Sequence, residues 1–276
     1  MSIQTYPNGL GGSLGDSLDT CRPLILSGNA WYVNFATGVD AASPAGQNRE
    51  KPLKTLARAH TNASDEDIIV FLTGHSETLV TFQDITKRLT LVGEGLVAGK
   101  PSVTFYGNAA ASTIFNVSAS NVQLRGLYFP ENKQANSVAK VSVFGARCKI
   151  RGCWFDCGAN DKGGAVALGL GSNGARFESD TFISTATSTA SQPLAAIKST
   201  TDGSIDGVEI ADTVVSAGTV GFSNYSAVDL ASSVVTSLEI SNLSLLLGAD
   251  MDLGQSVSGR VNVQLATGGS RVTWSF

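Results

Sequence analysis

Charge is scarce in this chain, and so are histidine and methionine. Asp, Glu, Lys and Arg together make up 15% of the 276 residues, and there are two His and two Met. His60 and His75 are too few for a histidine-rich metal centre. The long Glu- and Lys-rich amphipathic stretches of helical proteins are missing, which argues against a helix bundle. A net charge of −4 and a pI near 5.2 give no electrostatic reason to expect nucleic acid or an anionic membrane as a partner. No apolar run approaches the roughly 18 residues that span a bilayer. Residues 1–20 lack the basic segment and apolar core of a secretory signal. The expectation is synthesis in a cytosol without export by the usual route, with Cys21, Cys148, Cys153 and Cys157 as reduced thiols.

What is abundant points the other way. The 30 glycines come with plentiful Ser, Thr, Ala, Val and Asn, a composition for an all-β chain with many turns. Five segments align without internal gaps: 122–129, 148–155, 175–182, 208–215 and 238–245. Their third residues, Leu124, Ile150, Phe177, Ile210 and Ile240, stand 26, 27, 33 and 30 residues apart, and Leu91 lies 33 before Leu124. Positions one, three and eight are apolar and should point inward; positions two and four are mostly polar and should point outward. The fifth position, occupied by Gly126, Gly152, Ser179, Asp212 and Asn242, is small or turn-forming, as a corner between two strands requires. A unit this short cannot bury its own apolar face, so neighbouring units must stack as rungs. A second apolar strand is expected upstream of the repeated segments, with Phe115, Leu168, Ile197 and Leu230 in comparable places.

The predicted architecture is therefore an all-β, right-handed parallel β-helix, divided into an extended N-terminal arm at 1–29 and a body at 30–276. Residues 31–35 read as the first strand and 37–50 as a polar loop. One helix is predicted at about 52–63: Pro52 suits a first helical turn, and Leu53, Leu56, Ala57 and His60 share a face. Residues 67–72 follow as a buried strand.

The run Trp31-Tyr32-Val33, Gly38-Val39-Asp40, Lys51-Pro52-Leu53-Lys54-Thr55-Leu56, Asp67-Ile68-Ile69-Val70 and Gly74-His75-Ser76-Glu77 resembles the opening of pectate-lyase-like β-helix proteins. The resemblance covers about residues 31–250 and implies that the helix caps the open end of the stack. It implies a fold and leaves function open, because that superfamily holds lyases, hydrolases, epimerases, phage tailspikes and non-catalytic virion proteins.

A lyase would need a carboxylate cluster for Ca²⁺ and a basic residue on the outer faces of adjacent rungs. The outward columns read Gln123, Lys149, Arg176, Glu209, Glu239 and Arg125, Arg151, Glu178, Ala211, Ser241. Arg125 and Arg151 should be neighbours, with Glu178 next to Arg151, which fits a solvated ladder or a subunit interface better than a lyase site. A glycoside hydrolase would need two carboxylates about 5–9.5 Å apart; Asp180 and Asp212 are not at equivalent positions, and Asp156 and Asp161 flank a Gly-rich loop. His60 reads as a core or cap residue, His75 as part of a turn, and the cysteines as small packing residues. The Gly169, Gly171, Gly174 pattern precedes a strand and not a helix, so it is a turn and not a dinucleotide site. Gly95 to Lys100 falls short of a phosphate-binding loop and runs into Pro101.

No catalytic, cofactor-binding or metal-binding residue is assigned, and no cofactor is expected. A β-helix of a generally extracellular kind without an export signal suits a bacteriophage virion protein, released by lysis. The expectation is a non-enzymatic head decoration (cement) protein, bound to the major capsid protein through residues 1–29 and forming a homo-oligomer, a trimer, with no nucleic acid and no membrane. Leu245, Leu246, Leu247, Trp274 and Phe276 are candidate outward contacts between subunits, with a place in the core as the alternative. The alternatives are a tailspike-like polysaccharide-degrading enzyme and a non-catalytic host-binding module.

Overall fold

A computed structural model describes residues 28–40, 45–108, 113–131, 139–158, 161, 164–186, 193, 195–200, 204–216, 222, 228–230, 234–246, 251–252, 259–265 and 272–273. It is a parallel β-solenoid with three strand-lined faces. The first face stacks Ala30–Val33, Ile68–Phe71, Thr90–Gly93, Gln123–Arg125, Lys149–Arg151, Arg176–Glu178, Glu209–Ala211 and the start of Leu238–Leu246. The second stacks Ser76–Leu79, Val103–Gly107, Leu127–Phe129, Trp154–Cys157, Thr181–Ser184, Val214–Ser216 and the end of Leu238–Leu246. The third runs from Gln83–Ile85 through Phe115–Val117, Val141–Val143, Val166–Leu168 and Ile197–Ser199 to Val228–Asp229, Met251–Asp252 and Val272–Thr273.

The register is the one the repeat dictates. Leu91 pairs with Leu124, which pairs with Ile150, and the column continues through Phe177, Ile210 and Ile240. Positions one, three and eight are buried in all five rungs, from Val122, Leu124 and Phe129 to Leu238, Ile240 and Leu245. The eighth column forms a stack of rings: Phe129 lies 4.8 Å from Phe155 at 8°, and Phe155 lies 4.7 Å from Phe182 at 7°. That spacing is the inter-strand distance itself, so identical side chains repeat in contact.

Two corners per rung turn through the left-handed region. The fifth position does so in Gly126, Gly152, Ser179, Asp212 and Asn242, with φ between 50° and 60°. The residue before each repeat does the same: Asn121, Arg147, Gly174, Gly207 and Ser237. In the first four of these rungs each corner amide donates to a carbonyl of the next rung, as Gly126 does to Arg151, Gly152 to Glu178 and Ser179 to Ala211. The bend is thereby tied into the ladder, and its polar groups are satisfied.

Three expectations are corrected. The helix spans Leu56–Asn62 and not 52–63. Leu53 is instead bridged to Val33, with its amide bonded to the Tyr32 carbonyl, so the chain stays extended until Thr55, whose hydroxyl caps the Arg58 amide. In the second upstream strand, Phe115 and Ile197 share a column with Val141, Val166 and Val228, while Leu168 stands two residues further along and pairs with Val143 and Ser199. Both columns point inward, which is why periodicity alone did not separate them. Leu245 is fully buried as an eighth-position residue, not an outward contact; Leu247, Trp274 and Phe276 lie outside the described residues.

The helix buries Leu56 and Ala59 against the core at the first rungs. Its carboxy-terminal carbonyls are met by Lys87, whose Nζ donates to His60 O at 2.6 Å, Thr61 O at 3.1 Å and Ala63 O at 2.6 Å. Asp67 ties the entry together, accepting from the Asn29 and Ser64 amides and from Trp31 Nε1. Of the expected arm, residues 1–27 lie outside the described residues, and Asn29 already belongs to the body.

Candidate functional site

Two outward surfaces carry the chemistry. On the first face, alternation places positions two and four of successive rungs in two parallel columns, and Arg125 is the register partner of Arg151, as expected. Arg151 reaches Glu178 at 3.6 Å, and Arg176 pairs with Glu209. Arg125 turns back to Gln123 Oε1 at 2.7 Å. Burial and then the neighbouring Arg176 depress the Lys149 ammonium below its usual range, with Arg125 and Arg151 adding to this. Along this face Arg125, Lys149, Arg151 and Arg176 come first and the adjacent Glu209 and Glu239 follow, with Arg260 the register partner of Glu239.

The second face carries a cluster that the sequence reading missed. Tyr128 and Trp154 are register partners at outward positions of adjacent rungs. Lys100 comes to them from an antiparallel hairpin, Leu96–Val97 with Lys100–Pro101. Its Nζ sits 5.0 Å from the Tyr128 ring centre, 4.8 Å from that of Trp154 and 2.9 Å from Asp156 Oδ2. The Tyr128 hydroxyl donates to Asp156 Oδ2 at 2.5 Å and Trp154 Nε1 to Oδ1 at 2.7 Å. Burial first, and then the bond to Asp156, push the Tyr128 hydroxyl well above its usual range. The arrangement is a cation held by two π faces and a carboxylate. The available signal was the pair of outward aromatics at position seven with a carboxylate two residues on; the cation is supplied from outside the repeat.

Most of the other candidates lie inside; Asp212 is exposed and His60 half-buried. His75 is fully buried between Phe71 and Phe105, its ring 5.0 and 5.3 Å from theirs. Its amide closes the expected turn onto Leu72 O, while Nδ1 accepts from the Phe35 amide at 3.1 Å and Nε2 stands 3.3 Å from Glu77 Oε2. Glu77 in turn accepts from the Leu56 amide, so the dyad anchors the helix. His60 is half-buried at the helix edge, and burial and Lys87 lower its pKa. Asp180 is buried at position six, its oxygens accepting from the Cys153 and Glu178 amides. Asp212 is in the corner column and accepts from Asn242, which keeps the two carboxyls apart in role. Cys148, Cys153 and Cys157 are buried free thiols, and burial raises all three pKa values, Cys148 to about 11. Cys21 lies outside the described residues. Gly169 and Gly171 form a turn against Phe144, with the Arg176–Glu178 strand following. Among the described residues no group of three His, Cys, Asp or Glu side chains is placed to hold a metal ion, and no helix is long and apolar enough to cross a membrane.

No protein-family model and no curated protein matches the chain. Among solved structures, the GH136 lacto-N-biosidase from Eubacterium ramulus is similar at 11% identity and a TM-score of 0.31, over 89% of this chain and 55% of that one. The chain thus spans about half the length of that enzyme. A likeness at this level carries no argument about activity.

Proposed function

We propose that the chain is a non-enzymatic structural protein of a bacteriophage particle, a head decoration protein whose residues 1–29 grip the capsid while the solenoid projects from it or bridges subunits as a trimer. One observation carries the reading: the outward polar groups are engaged in bonding one rung to the next. Arg151 with Glu178, Arg176 with Glu209, Asp84 with Asn116, Asp206 with Thr236 and Asp212 with Asn242 all join adjacent rungs. Asp156 is held by three donors at once. Carboxylates so engaged serve cohesion rather than proton transfer, and general acid–base work needs a carboxyl within reach of a substrate proton. A scaffold in a particle is served by such a body.

The test is placement. Antibodies against residues 30–276 should decorate the heads of particles from the phage that encodes the chain, seen by electron microscopy. Particles lacking the protein should bind the full-length chain, and a chain without residues 1–27 should fold but fail to bind. Full binding by the truncated chain would remove the arm from the proposal. Release of reducing ends from a bacterial polysaccharide, abolished by Arg151→Ala or Asp156→Ala, would replace it with an enzyme.

A further inference from the structure

Beneath the loops leaving the second face lies a pair that the proposed function does not use. Lys140 and Asp161 are both fully buried, and Nζ stands 2.8 Å from Asp161 Oδ1. Nζ also donates to Pro130 O at 2.6 Å, and Asp161 Oδ2 accepts from the Gly158 amide at 2.9 Å, so both groups are held in fixed orientation. A second carboxyl packs nearby: Glu131 lies flat on Gly158, whose amide binds Asp161, and a Cβ there would collide with its Cδ and Oε2. Cys157, the neighbour of Gly158 in the chain, is fully buried as well.

We propose that Lys140 and Asp161 form an intramolecular isopeptide bond. Burying an ammonium and a carboxylate together is costly, and condensation to an amide removes both charges. The amine adds to Asp161 Cγ; a C–N bond forms, a C–O bond breaks and water leaves. The balance is –NH₃⁺ plus –COO⁻ giving –NH–CO– plus H₂O, with no oxidant or further reactant. The protons given up by the nitrogen leave with the departing oxygen as that water. Contact geometry supplies the proximity that such a condensation lacks in water, and the enclosure keeps water from reversing it. The bond would tie the segment after Leu127–Phe129 to the segment after Trp154–Cys157, stapling two adjacent rungs outside their hydrogen-bonded ladder.

Intact mass spectrometry of the full-length chain decides it. The expected mass is about 18 Da below that of the sequence, with a branched peptide joining the fragments that carry Lys140 and Asp161. Lys140→Arg keeps the charge but cannot form the amide, so it should restore the sequence mass and abolish the branch. Asp161→Asn should condense with loss of ammonia and give the same branched peptide. A wild-type chain at its sequence mass, with the two fragments separate, overturns the proposal and leaves an ordinary ion pair. A mass deficit without the branch overturns it as well.

Discussion

Asp180 is a carboxyl in a column otherwise filled by Leu127, Cys153, Thr213 and Leu243, all buried. Burial pushes its pKa up to about 8, against the pull of the amides of Cys153 and Glu178. The folded state therefore holds this proton more tightly than the unfolded chain does. Its contribution is complete below about pH 4, the ordinary carboxylate range, and is lost as pH rises towards 8, by up to about 1.4 kcal/mol per pH unit. Denaturant titrations across that window should show stability falling, and Asp180→Asn, which keeps an acceptor but does not titrate, should flatten the profile. A wild-type profile already flat between pH 4 and 8 would contradict this. The fifth-position corners offer a second residue-scale test. Gly152 has φ 60° and open space where a Cβ would stand, so substitution there is a conformational cost alone. Gly152→Ala should destabilise by about 1–2 kcal/mol in denaturant midpoint experiments. Gly152→Asn should cost less, since Asn242 occupies the same corner in its own rung.

At the scale of elements, the ring stack and the hairpin behave differently. Phe155 is sandwiched between Phe129 and Phe182, so Phe155→Ala removes two stacked contacts and opens a cavity inside the rungs. A loss of about 3–5 kcal/mol is expected from thermal or chemical unfolding. The hairpin is fastened from outside by Lys100. Lys100→Met should leave global stability within about 1 kcal/mol, as for other partly exposed ion pairs. It should speed amide exchange across residues 96–101 and alter Trp154 fluorescence; unchanged exchange would mean that Lys100 is not the fastener. What the sequence revealed follows the same division. The columns and corners were legible because alternation and turn-forming residues recur at one spacing, so Leu124, Ile150 and Gly152 declared their places. The helix start was not, because Pro52 and Leu53 fit a helix locally and are claimed by a bridge to Val33 instead. Nor was the Lys100 cluster, or the burial of His75 with Glu77: their partners come from separate elements, and spacing within one segment carries no trace of them.

For the molecule as a whole, the division of labour is between an invariant stack and variable excursions from it. The interior is one continuous cluster running from Trp31 to Leu245. Its first rungs are closed by the helix, the Lys87 cap and the Asp67 network. Large apolar side chains exposed among the described residues are few: Leu96, Val80, Val39 and Val97 are the most exposed at 70%, 68%, 63% and 62%, all on connections and not on the stacked faces. Attachment to another surface through these connections or through residues 1–29 would leave the stack undisturbed. The expected result for a chain lacking residues 1–27 is thus an unchanged unfolding midpoint, measured by circular dichroism, alongside lost particle binding. A midpoint lowered by many degrees would mean that the arm is part of the fold.

The corner amides have one more implication. Because Gly126 bonds to the rung of Arg151, and Gly152 to the rung of Glu178, a donor in one rung finds its acceptor in whichever rung comes next. The length of the body is accordingly quantised: it grows or shrinks by whole turns, each advancing about 4.8 Å. Excising the segment between equivalent corners brings a matching donor and acceptor back into register, whereas removing a few residues inside a strand leaves every later side chain facing the wrong way. Natural or engineered variants of different reach should differ by entire repeats.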